Sequence, residues 1–90
     1  MLFKLYIGAN NKTGETEKNK AVELTGEFFE GFTVYDTLGY WQGKAEKSFC
    51  IEIETGKAKQ VLELVKRLAV ELQQEAIGLA RIGKLEFITA

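Results

Sequence analysis

Hydrophobic and polar positions alternate over residues 2–8, with Phe3, Leu5 and Ile7 on one side and Lys4 and Tyr6 on the other. That period of two predicts a half-buried first strand. The polar segment 9–15 holds Asn10, Asn11 and Gly14, which favour turns. Thr16 followed by Glu17 then suits a helix start, with an acid where the helix dipole favours it. Ala21, Leu24, Thr25 and Phe28 recur at helical spacing, and Gly31 closes this first helix.

Residues 32–41 are rich in aromatic and β-branched side chains, and residues 47–54 alternate Phe49, Ile51 and Ile53 against Cys50, Glu52 and Glu54. These predict a second and a third strand. The segment 42–46, containing Gly43, is short enough to make the pair an antiparallel hairpin. A second helix is predicted to begin within 55–58 and to carry Ala58, Val61, Leu62, Val65, Leu68, Ala69 and Leu72 on its apolar face. Residues 76–81 read as a fourth strand with Ile77 and Leu79 inward, and Gly83 marks a turn before a short extra strand at 85–88.

The order β-α-β-β-α-β, with both helices amphipathic, predicts an α+β, ferredoxin-like split sandwich with two helices on one face of an antiparallel sheet. At 90 residues, the chain is expected to form one domain spanning 1–90. The alternation leaves Lys4, Tyr6, Thr33, Tyr35, Cys50, Glu52, Ala76 and Gly78 on the face without helices. A small domain buries a modest share of its surface, so burial of that face in a homo-oligomer is expected alongside plain solvation.

The net charge of −1 comes from twelve basic and thirteen acidic residues, interspersed along the chain. Without a basic surplus no nucleic-acid partner is expected, because phosphate neutralisation supplies most of such affinity. No apolar run approaches the roughly 20 residues of a membrane span, so no membrane association is expected. The lone Cys50 excludes an internal disulfide, and a cytoplasmic location is the expectation.

The chain has no histidine, which removes the commonest general base and metal ligand. Cys50 lies mid-strand with no activating neighbour, as a structural thiol does. Glu52 and Glu54 share a strand face, yet nothing clusters the further oxygens a hard cation needs, so neither metal nor cofactor is expected. The unusual stretch runs from Asp36 to Ser48, where Tyr40, Trp41, Gly39, Gly43, Lys44 and Glu46 fall in one hairpin. An aromatic beside an acid suits a cationic or purine ligand; packing of Tyr40 and Trp41 at the strand end is the plainer account.

The run Phe32-Thr33-Val34-Tyr35-Asp36-Thr37-Leu38-Gly39-Tyr40-Trp41, the following Glu46-Lys47-Ser48, and residues 65–76 with Arg67-Leu68-Ala69 and Gln73-Gln74-Glu75-Ala76 resemble the phage-encoded S-adenosylmethionine lyases. More distantly, the chain resembles PII-type trimers. Both resemblances imply a ferredoxin-like core, a trimer, and an adenosine-type small-molecule ligand held between subunits. The lyase resemblance further implies cleavage of S-adenosylmethionine to methylthioadenosine and homoserine lactone, the substrate carboxylate displacing the sulfonium, a reaction that needs mainly positioning. Glu46 matches the lyases' glutamate, and Tyr40 or Trp41 their tyrosine, although the connection between the second and third strands is shorter here. The implied site has Glu46 and Tyr40 as catalytic residues and Trp41, Lys44 and Tyr35 as ligand-binding residues. A non-catalytic binder of the same ligand is one alternative, and a protein-interaction module using the open sheet face is another.

Overall fold

Alternating apolar residues produce the central strands. A computed structural model of the chain describes residues 1–83. Its elements are β1 (Leu2–Gly8), α1 (Lys18–Phe28), β2 (Thr33–Trp41), β3 (Lys44–Glu54), α2 (Ala58–Glu71) and β4 (Gly78–Ile82). The strands lie in the order β2-β3-β1-β4 with every neighbouring pair antiparallel, which makes this a ferredoxin-like α+β fold. The strand expected at 85–88 lies outside the described residues.

One sheet face carries the core. Phe3, Leu5 and Ile7 of β1 and Phe49, Ile51 and Ile53 of β3 meet Ala21 and Leu24 of α1 and Val61, Leu64 and Leu68 of α2, with Leu72 just beyond it. Thr25 is also buried, and its hydroxyl donates to the Ala21 carbonyl at 2.7 Å, so it brings no unsatisfied group into the core. The apolar stripe of α2 differs from the expected one by a single turn position: Leu64 is fully buried and Leu62 is exposed. Val61, Leu64, Leu68 and Leu72 follow the spacing that keeps one helix face toward the sheet, and Leu62 falls about 100° around the helix from Val61.

Two strand boundaries also differ from expectation. The β2–β3 connection is only Gln42 and Gly43, and β3 begins at Lys44 rather than Lys47. Both turn residues have positive φ, 50° and 77°, the geometry of a tight hairpin turn whose twist matches the flanking strands. Ala45, Glu46 and Lys47 are therefore strand residues. β4 begins at Gly78, opposite Tyr6, where an added Cβ would approach the Tyr6 Cβ to 3.3 Å. No helix among the described residues is long and apolar enough to cross a membrane.

Candidate functional site

The tight turn carries the β2–β3 hairpin past the end of its neighbour. β1 stops at Gly8, opposite Ser48, so among the described residues 44–47 of β3 have a strand partner only in β2. In an antiparallel ladder alternate residues direct their N–H and C=O to opposite sides. Trp41 and Lys44 flank the two-residue turn as a hydrogen-bonded pair, which turns Lys44, Glu46 and Ser48 toward β2 and directs the main chain of Ala45 and Lys47 the other way. The bond from Thr55 N–H to the Met1 carbonyl, at 3.1 Å, shows the same odd-numbered alternation toward β1.

The exposed edge of β3 forms one wall of a notch of about 360 Å³, lined by Ala45, Glu46 and Lys47 and, across from them, by Ala9, Asn10, Asn11 and Gly14 of the β1–α1 loop. The loop holds its own shape. Asn10 N–H donates to the Glu15 carbonyl at 2.9 Å, Gly14 N–H to the Asn10 carbonyl at 2.8 Å, and Lys12 N–H to Asn10 Oδ1 at 2.8 Å. Gly14 takes φ 72°, a region that favours glycine. Lys47 Nζ reaches both Glu15 carboxylate oxygens at 2.9 and 3.0 Å, and Gln74 Nε2 donates to the Ala9 carbonyl at 3.3 Å. The Lys47–Glu15 pair is solvent-exposed and positions the loop more than it stabilises the fold.

Strand alternation sorts the expected site residues by face. Trp41, Lys44, Glu46 and Tyr35 belong to the helix-free face, whereas Tyr40 belongs to the opposite one with Val34, which touches the core, and Asp36, which binds Lys18 of α1 at 2.8 Å. The hairpin thus brings Trp41, Lys44 and Glu46 together and leaves Tyr40 apart. Trp41 and Tyr40 are 68% and 70% exposed, so neither packs a strand end. Tyr35 is six positions from Trp41 along β2, about 20 Å of extended chain.

Tyr35 instead belongs to a cross-strand cluster nearer the sheet centre. It and Tyr6 flank Cys50, whose residue is fully buried even though it lies on the helix-free face. The Tyr35 hydroxyl donates to Glu52 Oε2 at 2.5 Å, and Lys4 Nζ lies 3.3 Å from the same oxygen. The Tyr35 hydrogen bond and the Lys4 charge hold the Glu52 carboxyl below its ordinary range. In return, Glu52 raises the Tyr35 hydroxyl well above the usual phenol range and raises the Lys4 ammonium. Glu52 is therefore engaged with Tyr35 and Lys4, and no group of three or more His, Cys, Asp or Glu residues among the described residues is arranged to hold a metal.

Sequence reasoning placed Glu46 in a site but treated Asn10, Asn11 and Gly14 only as turn formers. Their contribution to the notch depends on where β1 ends relative to β3, which periodicity does not encode. The Tyr35–Glu52–Lys4 cluster was foreshadowed by the shared face of those residues, although their register across three strands was not. Chemically, the notch offers one carboxylate acceptor, side-chain amides and main-chain donors and acceptors, a set suited to a polar ligand with N–H or O–H groups.

No model of a known protein family matches the chain, and no curated protein matches its sequence. Among solved structures, a DUF3240-family protein from Shewanella baltica is similar with a TM-score of 0.66 at 18% identity, over 98% of this chain and 96% of that one. A phage SAM lyase in complex with S-methyl-5'-thioadenosine is similar with a TM-score of 0.57 at 15% identity, over 87% and 76% of the two chains. The periplasmic divalent cation tolerance protein CutA from Archaeoglobus fulgidus has a TM-score of 0.58 at 13% identity, over 98% and 88%. At these identities the likenesses establish the shared fold.

Proposed function

We propose that this chain is the subunit of a small-molecule-binding homo-oligomer, and that the Glu46 notch holds an adenosine-containing metabolite such as S-adenosylmethionine. The observation that carries this reading is the placement of Glu46 on a notch wall where the main chain of Ala45 and Lys47 has no strand partner among the described residues. Ribose hydroxyls or an amino group would find a charged acceptor there, and a purine edge would find main-chain partners. The exposed Trp41, on the face shared with Lys44 and Glu46, offers a ring to a base or to a sulfonium. The phage SAM lyase that shares the fold binds a methylthioadenosine, which supports this ligand class.

Three copies per ligand-binding unit is the number implied by the lyase and PII-type resemblance, with a neighbouring copy closing the notch. Binding to sense or sequester the ligand is favoured over lysis, because Tyr40 and Glu46 occupy opposite hairpin faces. If lysis does occur, the Trp41 face is the one that shares Glu46. We read the protein as cytoplasmic, consistent with a single unpaired cysteine. A second reading, a protein-interaction module, draws on the exposed Tyr6 and Tyr35 of the helix-free face.

Incubating the purified protein with S-adenosylmethionine while following methylthioadenosine release and thermal stability separates these readings. A rise in Tm without product supports the binder, and product supports the lyase. An unchanged Tm and no product at millimolar ligand leave only the interaction module.

A further inference from the structure

The outer edge of β2 is long and, among the described residues, uncovered. It spans nine residues from Thr33 to Trp41, and among the described residues no strand pairs with it. Natural edge strands are usually guarded by proline, bulges or charges. β2 has no proline, its ladder to β3 is regular throughout, and its one charged residue, Asp36, is engaged by Lys18 at 2.8 Å. Toward its tip, Leu38 and Tyr40 are 58% and 70% exposed. Since the hydrogen-bonded pairs with β3 involve the odd-numbered residues 33–41, the free N–H and C=O groups belong to Val34, Asp36, Leu38 and Tyr40.

We infer that this edge pairs with β2 of a second copy, antiparallel, around a two-fold axis at Thr37. Only even-numbered residues have free main-chain groups, so a two-fold pairing must match even with even. A two-fold at Asp36 would set two carboxylates opposite each other, and one at Leu38 would leave Thr33 and Val34 reaching past the partner strand. The axis at Thr37 pairs all nine residues. It places Val34 against the partner's Tyr40, Asp36 against the partner's Leu38, and Thr33 against the partner's Trp41, with no like charges opposed. It also sets Tyr35 opposite the partner's Gly39, where the glycine adds no side chain to crowd the seam.

This contact is independent of the ligand reading, because the notch lies on the β3 edge that faces away from β2. By itself it yields a dimer; joined to a three-membered ligand-binding assembly it yields six copies. The assembly therefore contains an even number of chains.

Residue 37 faces its own counterpart across the axis in a non-hydrogen-bonded pair, with Cα atoms about 4.5 Å apart, within disulfide reach. Thr37→Cys in a glutathione redox buffer is expected to form a covalent dimer at least about tenfold more readily than Leu38→Cys or the wild type, whose Cys50 is buried. Because the Thr37 hydroxyl contacts that of Ser48 at 2.6 Å, a second pair of variants guards against local disruption. Tyr35→Cys mixed with Gly39→Cys is expected to cross-link when neither does alone, and a Cβ at Gly39 meets nothing closer than 3.7 Å. Sedimentation of the wild type is expected to give an even-numbered species. A monomer or a lone trimer overturns the pairing, as does preferential cross-linking of Leu38→Cys or failure of both Thr37→Cys and the mixed pair. A lone trimer or failed cross-linking overturns the edge pairing and leaves the ligand reading standing, whereas a monomer also removes the neighbouring copy proposed to close the notch. Ligand binding itself is read separately by the Tm measurement.

Discussion

Tyr40 and Glu46 stand on opposite faces of one hairpin, because Tyr40 pairs with Ala45 and Glu46 with Gly39 in a regular ladder. A ligand that contacts Glu46 on its face of the hairpin is expected to make no hydrogen bond to the Tyr40 hydroxyl on the other face of the same subunit. Tyr40→Phe should leave affinity for S-adenosylmethionine and methylthioadenosine within about twofold of wild type, as expected for a group that makes no hydrogen bond to the ligand. Calorimetric titration checks this. A loss of tenfold or more would mean that Tyr40 reaches the ligand, on its own copy or on a neighbouring one.

The Tyr35–Glu52–Lys4 cluster gives stability a pH signature at both ends. Glu52 has its carboxyl held below the ordinary value near 4.5, so its contribution is present above that pH and is lost as pH falls through the lowered value. Tyr35 and Lys4 are raised above ordinary values of 10.0 and 10.5, so their contribution is complete below about pH 10 and is lost as pH rises through the raised values. Tyr35→Phe should lower stability at pH 7 by up to about 1 kcal/mol, given partial exposure, and should flatten both limbs of the stability profile. Urea denaturation across pH reads both effects.

The hairpin depends on the backbone of its turn. Gly43 at φ 77° has open space around it, so Gly43→Ala should cost about 1 kcal/mol through backbone strain alone, and Gln42→Asn at φ 50° should be neutral or stabilising. Unfolding free energies from chemical denaturation of the two variants should differ by at least about 1 kcal/mol, with Gly43→Ala the less stable.

Packing of α2 distinguishes two leucines two residues apart. Leu64→Ala should destabilise by about 2–5 kcal/mol because its side chain is fully buried, whereas Leu62→Ala should stay within about 0.5 kcal/mol. Equal effects would mean that the helix is rotated from the orientation described here.

Much of the fold was legible in the chain because binary patterning is strong where burial is one-sided. Phe3, Leu5 and Ile7, and Phe49, Ile51 and Ile53, read directly as inward positions, and all six are buried. The start of β3 was not legible, since Lys44-Ala45-Glu46 is polar and reads as a loop; what makes it strand is the turn at Gln42 and Gly43 and continued pairing with β2. Leu64 was overlooked because Leu62 and Val65 suggested a stripe displaced by one side chain. For the site, the grouping of Trp41, Lys44 and Glu46 follows from alternation once the turn length is known. The facing wall of Asn10, Asn11 and Gly14 depends on tertiary register, which no local pattern carries.

Calorimetric titration of methylthioadenosine into the wild type and Glu46→Gln is the most direct test of the ligand-binding notch. The wild type should bind saturably, and the variant, with its fold intact by circular dichroism, should bind at least about tenfold more weakly because a charge-assisted acceptor has been replaced by a neutral amide. Equal affinity in the two proteins, or no binding by the wild type at millimolar ligand, would contradict it.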